Sequence, residues 1–226
     1  MKMQIVAVAL IAAAGVANAD VVAYWNQNDN ANALAGDGFG YVPGDFPMAA
    51  DAGAGSWSLE NFDASVDGNG LYTKVDSFSG TTLGALFGDS SGGSFSFIGD
   101  SNNGAMAVLS FDATNYTGIT LDFARRGTST GYTSVDVAWR DSGGALHSVG
   151  SINAAGTSTW VAYNFDFASA LDGDSSAEIV ISFDGASSAS GNNRLDNVTI
   201  SGTLVPTPGA FALLGLGGLA ATRRRR

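Results

Sequence analysis

Between residues 119 and 201, apolar and polar side chains alternate, and clusters of Gly, Asp, Asn and Ser interrupt the alternation about every ten residues. A period of two belongs to strands with one face in a core and the other in water. Ile119, Leu121 and Phe123 alternate with Thr120, Asp122 and Ala124. Val135, Val137 and Trp139 alternate with Asp136, Ala138 and Arg140. Val161, Tyr163, Phe165 and Phe167 alternate with Trp160, Ala162, Asn164 and Asp166. Ile179, Ile181 and Phe183 continue the series, and residues 194–201 close it. The first half is less regular. Strands are expected near 21–26, 70–78, 94–98 and 105–111, and residues 28–56, rich in Gly, Ala and Asp, read as a long loop. No helical period appears between the two ends. The expected fold is all-β: a two-sheet antiparallel β-sandwich, or jelly roll, over residues 20–204.

Such a body must be held by packing, because the chain has no cysteine. That also excludes thiol nucleophiles and zinc–thiolate sites. The single histidine, His147, excludes zinc sites built on several imidazoles, and its turn-flanked strand places it on the surface. Of the ten Lys and Arg residues, Lys2 and Arg223 to Arg226 lie in the terminal segments. The body therefore has five cations against all 21 acidic residues. A surface of that sign repels nucleic acid and favours solubility, divalent cations and neutral or cationic partners.

The ends carry a different message. Lys2, the apolar stretch 5–16 and the small-residue site Ala17-Asn18-Ala19 occur in the order of a secretory signal peptide (1–19). Signal peptidase is the partner this implies, with a mature chain starting at Asp20. The tail, residues 205–226, has three parts: Pro206-Thr207-Pro208, an apolar run at 209–222 and the cluster Arg223, Arg224, Arg225, Arg226. As a helix rising ~1.5 Å per residue, the run spans ~21 Å against ~30 Å of hydrocarbon, so it can anchor only transiently. The arginines resist transfer and keep to the cytoplasmic side. This tripartite tail resembles the PEP-CTERM sorting signal, with Thr207 where that family usually has Glu. The resemblance implies processing by an exosortase, a membrane protease of bacteria that make extracellular polysaccharide. It implies nothing about the chemistry of the body.

The closing segment Asn193-Arg194-Leu195-Asp196-Asn197-Val198-Thr199-Ile200 resembles the final strand of jelly-roll carbohydrate-binding and lectin-like domains. Strict alternation would put Asp196 on the face of Val198 and Ile200. Either a bulge resets the register, or Asp196 points inward and needs a partner. Arg194 is one such partner and calcium the other. Asp63, Asp67 and Asp196 are the candidate metal ligands, in Asp/Asn/Gly-rich stretches that suit calcium but lack EF-hand spacing. Their alternative is ordinary Asx-turn chemistry. Trp160, on the polar side of its strand, is the candidate glycan contact. Trp139 is expected in the core. Glu60 and Glu178 are the only glutamates, and neither sits in a catalytic motif. No catalytic residue is assigned.

The expected protein is exported to the cell surface or extracellular matrix through an inner-membrane-anchored intermediate. It is expected to be non-catalytic and to associate with extracellular polysaccharide. The alternatives are a calcium-dependent carbohydrate-binding module and a glycan-cleaving enzyme.

Overall fold

The computed structural model describes residues 19–28, 33–34, 38–154 and 156–205. Fifteen strands follow one another: β1 (Asp20–Trp25), β2 (Ala33–Leu34), β3 (Gly38–Phe39), β4 (Met48–Ala49), β5 (Ala52–Gly53), β6 (Gly55–Glu60), β7 (Val75–Ser77), β8 (Phe95–Ile98), β9 (Ala105–Phe111), β10 (Tyr116–Gly127), β11 (Ser134–Arg140), β12 (Leu146–Asn153), β13 (Val161–Asp166), β14 (Ala177–Asp184) and β15 (Asn192–Leu204). The only helical turn among the described residues is the 3₁₀ turn Asp100–Asn102.

Two antiparallel sheets form a sandwich. In one, β13, β10 and β15 lie side by side. The first part of β15 then pairs with β8, which pairs with β7, while its last part pairs with β1, which pairs with β5. The other sheet has the order β12-β11-β14-β9-β6-β4. The hairpin β2–β3 stands apart.

The long strand β15 settles the register question. Its pairing with β10 shifts between Asp122 and Ala124, opposite Thr199 and Asp196, and Asn197 adopts a φ of 51°. Asparagine tolerates that left-handed conformation better than most residues. The bulge makes Leu195, Val198 and Ile200 all face the core, fully buried, and turns Asp196 to the opposite face.

The core is bound by aromatic rings that pass from sheet to sheet. Trp25 of β1 meets Trp57 of β6 edge-on at 6.0 Å, and Trp57 meets Phe95 of β8 at 4.9 Å. Phe95 meets Phe97 at 5.0 Å, and Phe97 meets Phe183 of β14 at 5.2 Å. Tilted and edge-on arrangements of this kind add to the area these rings bury. Both sheets and the whole buried cluster lie within residues 20–205, so that span contains what the sandwich needs to fold.

Three sequence expectations change. The stretch 28–56 is not one long loop. It contributes β4 to one sheet and β5 to the other, and β6, carrying Trp57 and Leu59 inward, begins at Gly55. The strand expected at 70–78 shrinks to Val75–Ser77. Trp139 faces the core side but occupies the last inward position of β11, where the sheet ends. It is therefore half-buried and stacks on His147 at 4.2 Å.

Phe95, fully buried with four aromatic neighbours, is a position where a cavity would be costly. Phe95→Ala is expected to lower the unfolding free energy of residues 20–205 by about 3–5 kcal/mol in denaturant titration. Leu83→Ala, at a surface position 39% exposed, is expected to change it by less than about 0.5 kcal/mol.

Candidate functional site

The outward face of the β13-β10-β15 sheet divides into a covered part and an open part. The covered part lies beneath residues 78–93. There the backbone N–H of Thr81 donates to Asp196 Oδ2 at 2.6 Å. The side-chain amide of Asn197 donates to the carbonyls of Thr81 and Leu83. The Tyr24 hydroxyl donates to Asn197 Oδ1 and accepts from the Leu86 N–H. Gly80 is required by this closeness, because a Cβ there would collide with the carbonyls of Ser91 and Gly93 and with the Asp196 carboxylate.

Asp196 is thus 1% exposed and bound to backbone donors. Burial pushes its carboxyl up to about 7, and the N–H groups of Thr81 and Asn197 work in the opposite direction. The expected partnership with Arg194 is not formed. The Arg194 guanidinium lies 4.3 Å over the ring of Phe78, and the carboxylate acting on it electrostatically is Asp76. The two residues share the outer face, since β15 keeps its register with β10 from Asn193 to Asp196, but the Asp196 carboxylate is taken up by the Thr81 and Asn197 N–H groups. Burial likewise raises Asp76, to about 6, against the pull of the Ser77 N–H and Arg194. Tyr24 is raised to about 12, first by burial.

The open part lies at the other end of the same strands. Arg126 of β10 and Arg194 of β15 are directly opposite in register. They share a cavity of about 440 Å³ with Asn192, Thr128, Ser129 and Ser158. Among the described residues no carboxylate lines it, and none forms an ion pair with Arg126 or Arg194. Arg194 Nε and Asn192 Oδ1 are buried there without a hydrogen-bond partner. Beneath the cavity Arg125 is buried, its guanidinium donating to Asn193 Oδ1 and to the carbonyls of Tyr132 and Ala154. The walls are loops in backbone contact: Gly127 and Gly156 approach so closely that neither has room for a Cβ. Trp160 is half-buried and stands just before β13. Val161 pairs with Arg125, so the register carries Trp160 to the level of Arg126, two residues from Ser158 in the cavity wall.

The other candidates lie apart from this cavity. Asp63 Oδ1 accepts from the N–H and hydroxyl of Ser65, and Asp67 Oδ1 from the N–H groups of Asn69 and Leu71. These are Asx-type turn bonds. The Ser65 contacts hold Asp63 below the usual carboxylate range. Neither residue is brought to Asp196, and among the described residues no group of three or more acidic or imidazole side chains could hold a metal ion. On the other sheet Arg140 binds both glutamates, Glu60 at 2.6 Å and Glu178 at 3.1 Å. That contact holds Glu60 below its ordinary value, the reverse of what a general acid requires. His147 is on the surface, its Nε2 2.7 Å from Asp141. Asp20 opens β1, and Ala19 precedes it, exposed. Ala17, Pro206, Thr207, Pro208 and Arg223 to Arg226 lie outside the described residues. Among those described, no helix is long and apolar enough to cross a membrane.

No family model matches the chain, and no curated protein is similar to it. Solved structures are. The CBM22-1 xylan-binding domain of Paenibacillus barcinonensis Xyn10C is 13% identical, with a TM-score of 0.44, over 85% of this chain and 100% of that one. TmCBM61 in complex with β-1,4-galactotriose is 16% identical, with a TM-score of 0.40, over 64% of this chain and 86% of that one. The arabinose-bound MgGH51 α-L-arabinofuranosidase is 15% identical, with a TM-score of 0.43, over 80% of this chain and 26% of that one. What each of these binds or cleaves is a property of that protein. The sandwich described above rests on its own strand pairing.

Asp196 sets a pH test. Its folded value of about 7 exceeds the unfolded one of about 3.9, so between those values the folded chain holds a proton that the unfolded chain releases. The stabilisation is complete below about pH 4 and is lost as pH rises toward 7. Asn imitates the protonated acid. Asp196→Asn is expected to melt at a higher temperature than the parent at pH 8 and at the same temperature at pH 4. Parallel melting curves across that range would show that Asp196 stays ionised in the fold.

Proposed function

We propose that this chain is an exported bacterial protein of the cell surface or extracellular matrix, whose sandwich binds extracellular polysaccharide without cleaving it. The observation that carries this reading is the open end of the β13-β10-β15 sheet. There a preformed cavity of about 440 Å³ presents guanidinium, amide and hydroxyl groups, with the half-buried Trp160 at its level. That volume is in the range of small-ligand sites. Hydroxyl and amide groups match sugar hydroxyls, and an indole face stacks on a sugar ring. Capture of both glutamates by Arg140 supports a binding role over a hydrolytic one. The calcium-dependent alternative would have to draw its ligands largely from carbonyl oxygens, and Asp63, Asp67 and Asp196 would act separately.

Binding of residues 20–205 to a polysaccharide panel, with calcium and with chelator, tests this. Xylan and β-1,4-galactotriose are included as neutral members. One indole face of about 60 Å², at about 25 cal/mol per Å², amounts to ~1.5 kcal/mol, so Trp160→Ala is expected to weaken binding about tenfold. Binding that survives the chelator supports metal-free recognition at this cavity, and binding abolished by it supports the calcium-dependent alternative. New reducing ends in the glycan would make the protein an enzyme.

The tail supports delivery by an exosortase. Its Pro206-Thr207-Pro208 motif, the apolar run 209–222 and Arg223 to Arg226 have the order of a PEP-CTERM signal. The expected sequence of events is removal of residues 1–19 by signal peptidase, transient anchoring by the tail, and a cut near the prolines. Mass spectrometry of the protein released by its native host is expected to find Arg223 to Arg226 missing. An intact C-terminus outside the membrane fraction would sink the sorting step.

A further inference from the structure

The five cations of the body are used in different ways. Arg140 is paired with two glutamates, Lys74 donates to the Ala189 carbonyl, and Arg125 is buried among carbonyl and amide oxygens. Arg126 and Arg194 remain. They stand opposite each other on adjacent strands, an arrangement that like charges make unfavourable. They do so in a chain with 21 acidic residues, and none of those described lines their cavity. Phe78 holds the Arg194 guanidinium in place from one side. Arg194 Nε is buried with no acceptor. Asn192, 9% exposed, lines the same cavity, and its side-chain oxygen is buried without a hydrogen-bond partner.

Resting on the glycan-binding reading above, we propose that this cavity takes an acidic sugar unit, its oxyanion held between Arg126 and Arg194 and its hydroxyls met by Asn192, Ser158 and Thr128. The shared chemistry is a carboxylate or sulfate oxyanion on a pyranose. Guanidinium forks suit both, through two parallel charge-assisted hydrogen bonds. Burial and the neighbouring Arg126 depress the Arg194 guanidinium, with Asp76 acting against them. The negative charge of the rest of the body does not prevent binding. At physiological ionic strength its repulsion is screened beyond ~8 Å, whereas a pair in contact in a half-enclosed cavity is screened much less.

The test compares ligands that differ only in charge. Calorimetric binding of residues 20–205 to oligogalacturonate is set against its methyl ester, and to dextran sulfate against dextran, with thermal melts of every variant. The acidic member of at least one pair is expected to bind about tenfold more tightly or better, the range of one hydrogen bond to a charged group. Which pair shows the difference distinguishes carboxylate from sulfate. Arg126→Gln is expected to abolish the preference at unchanged melting temperature, and Arg126→Lys to keep part of it, because a lysine retains charge but not the fork. Arg194→Gln serves as the second variant where its melt is unchanged. Equal binding of charged and neutral partners, or a preference that survives Arg126→Gln, overturns the anionic assignment and leaves glycan binding in place. Binding to no member of the panel overturns both.

Discussion

One bulge in β15 governs both the interior and the surface of this protein. Placing Asn197 at positive φ inserts one extra residue opposite β10. Without it, either Leu195 or the pair Val198 and Ile200 would leave the core, because a slip of one residue sends every side chain of a strand to the other face. With it, all three stay inside, and Asp196 and Asn197 fall together on the outer face. They become the docking points for residues 78–93. The hydrogen bonds there leave few polar groups of the segment unmatched where it crosses the sheet, which a covered surface demands.

How far this was legible from sequence varies with the mechanism involved. Strands β10, β11, β13 and β14 could be read from alternation because one face of each meets the core, so burial writes period two into the residues. The segment 28–56 hides its strands, since β4 and β5 are two residues long and too short to show any period. β6 does alternate, with Trp57 and Leu59 between serines, but Gly53 and Gly55 beside it make it look like turn. The bulge was one of two ways to reconcile Asp196 with its neighbours. Choosing between them needs the register with β10, which is a long-range property.

The cavity was illegible for the same reason. In the sequence Arg194 stands out only as a possible partner of Asp196, and nothing singles out Arg126. Only the pairing of β10 with β15 sets them face to face, and only the close approach of the loops at Gly127 and Gly156 gives the cavity walls. The five-to-21 ratio of cations to acids was the available signal, since in such a chain two arginines side by side away from an ion pair are unusual. Trp160 could be found from sequence as a residue out of phase with the core, but not its proximity to the arginines.

The two parts of the outer face are then consequences of one strand's partners. Downstream, where β15 turns from β8 to β1, the bulge supplies Asp196 and Asn197, and their hydrogen-bonding capacity is taken up by the chain's own segment 78–93. Upstream, β15 runs straight beside β10 and β8, and Arg194 and Asn192 keep unused donor and acceptor capacity at the sheet's end. A covered face whose polar groups are matched stabilises the fold and has little left to offer a ligand. An open end whose buried polar groups are unmatched does the reverse, since each unmet group costs about 1–3 kcal/mol that a suitable ligand can recover. The proposed binding therefore belongs at the end where the strand's own chain leaves it bare.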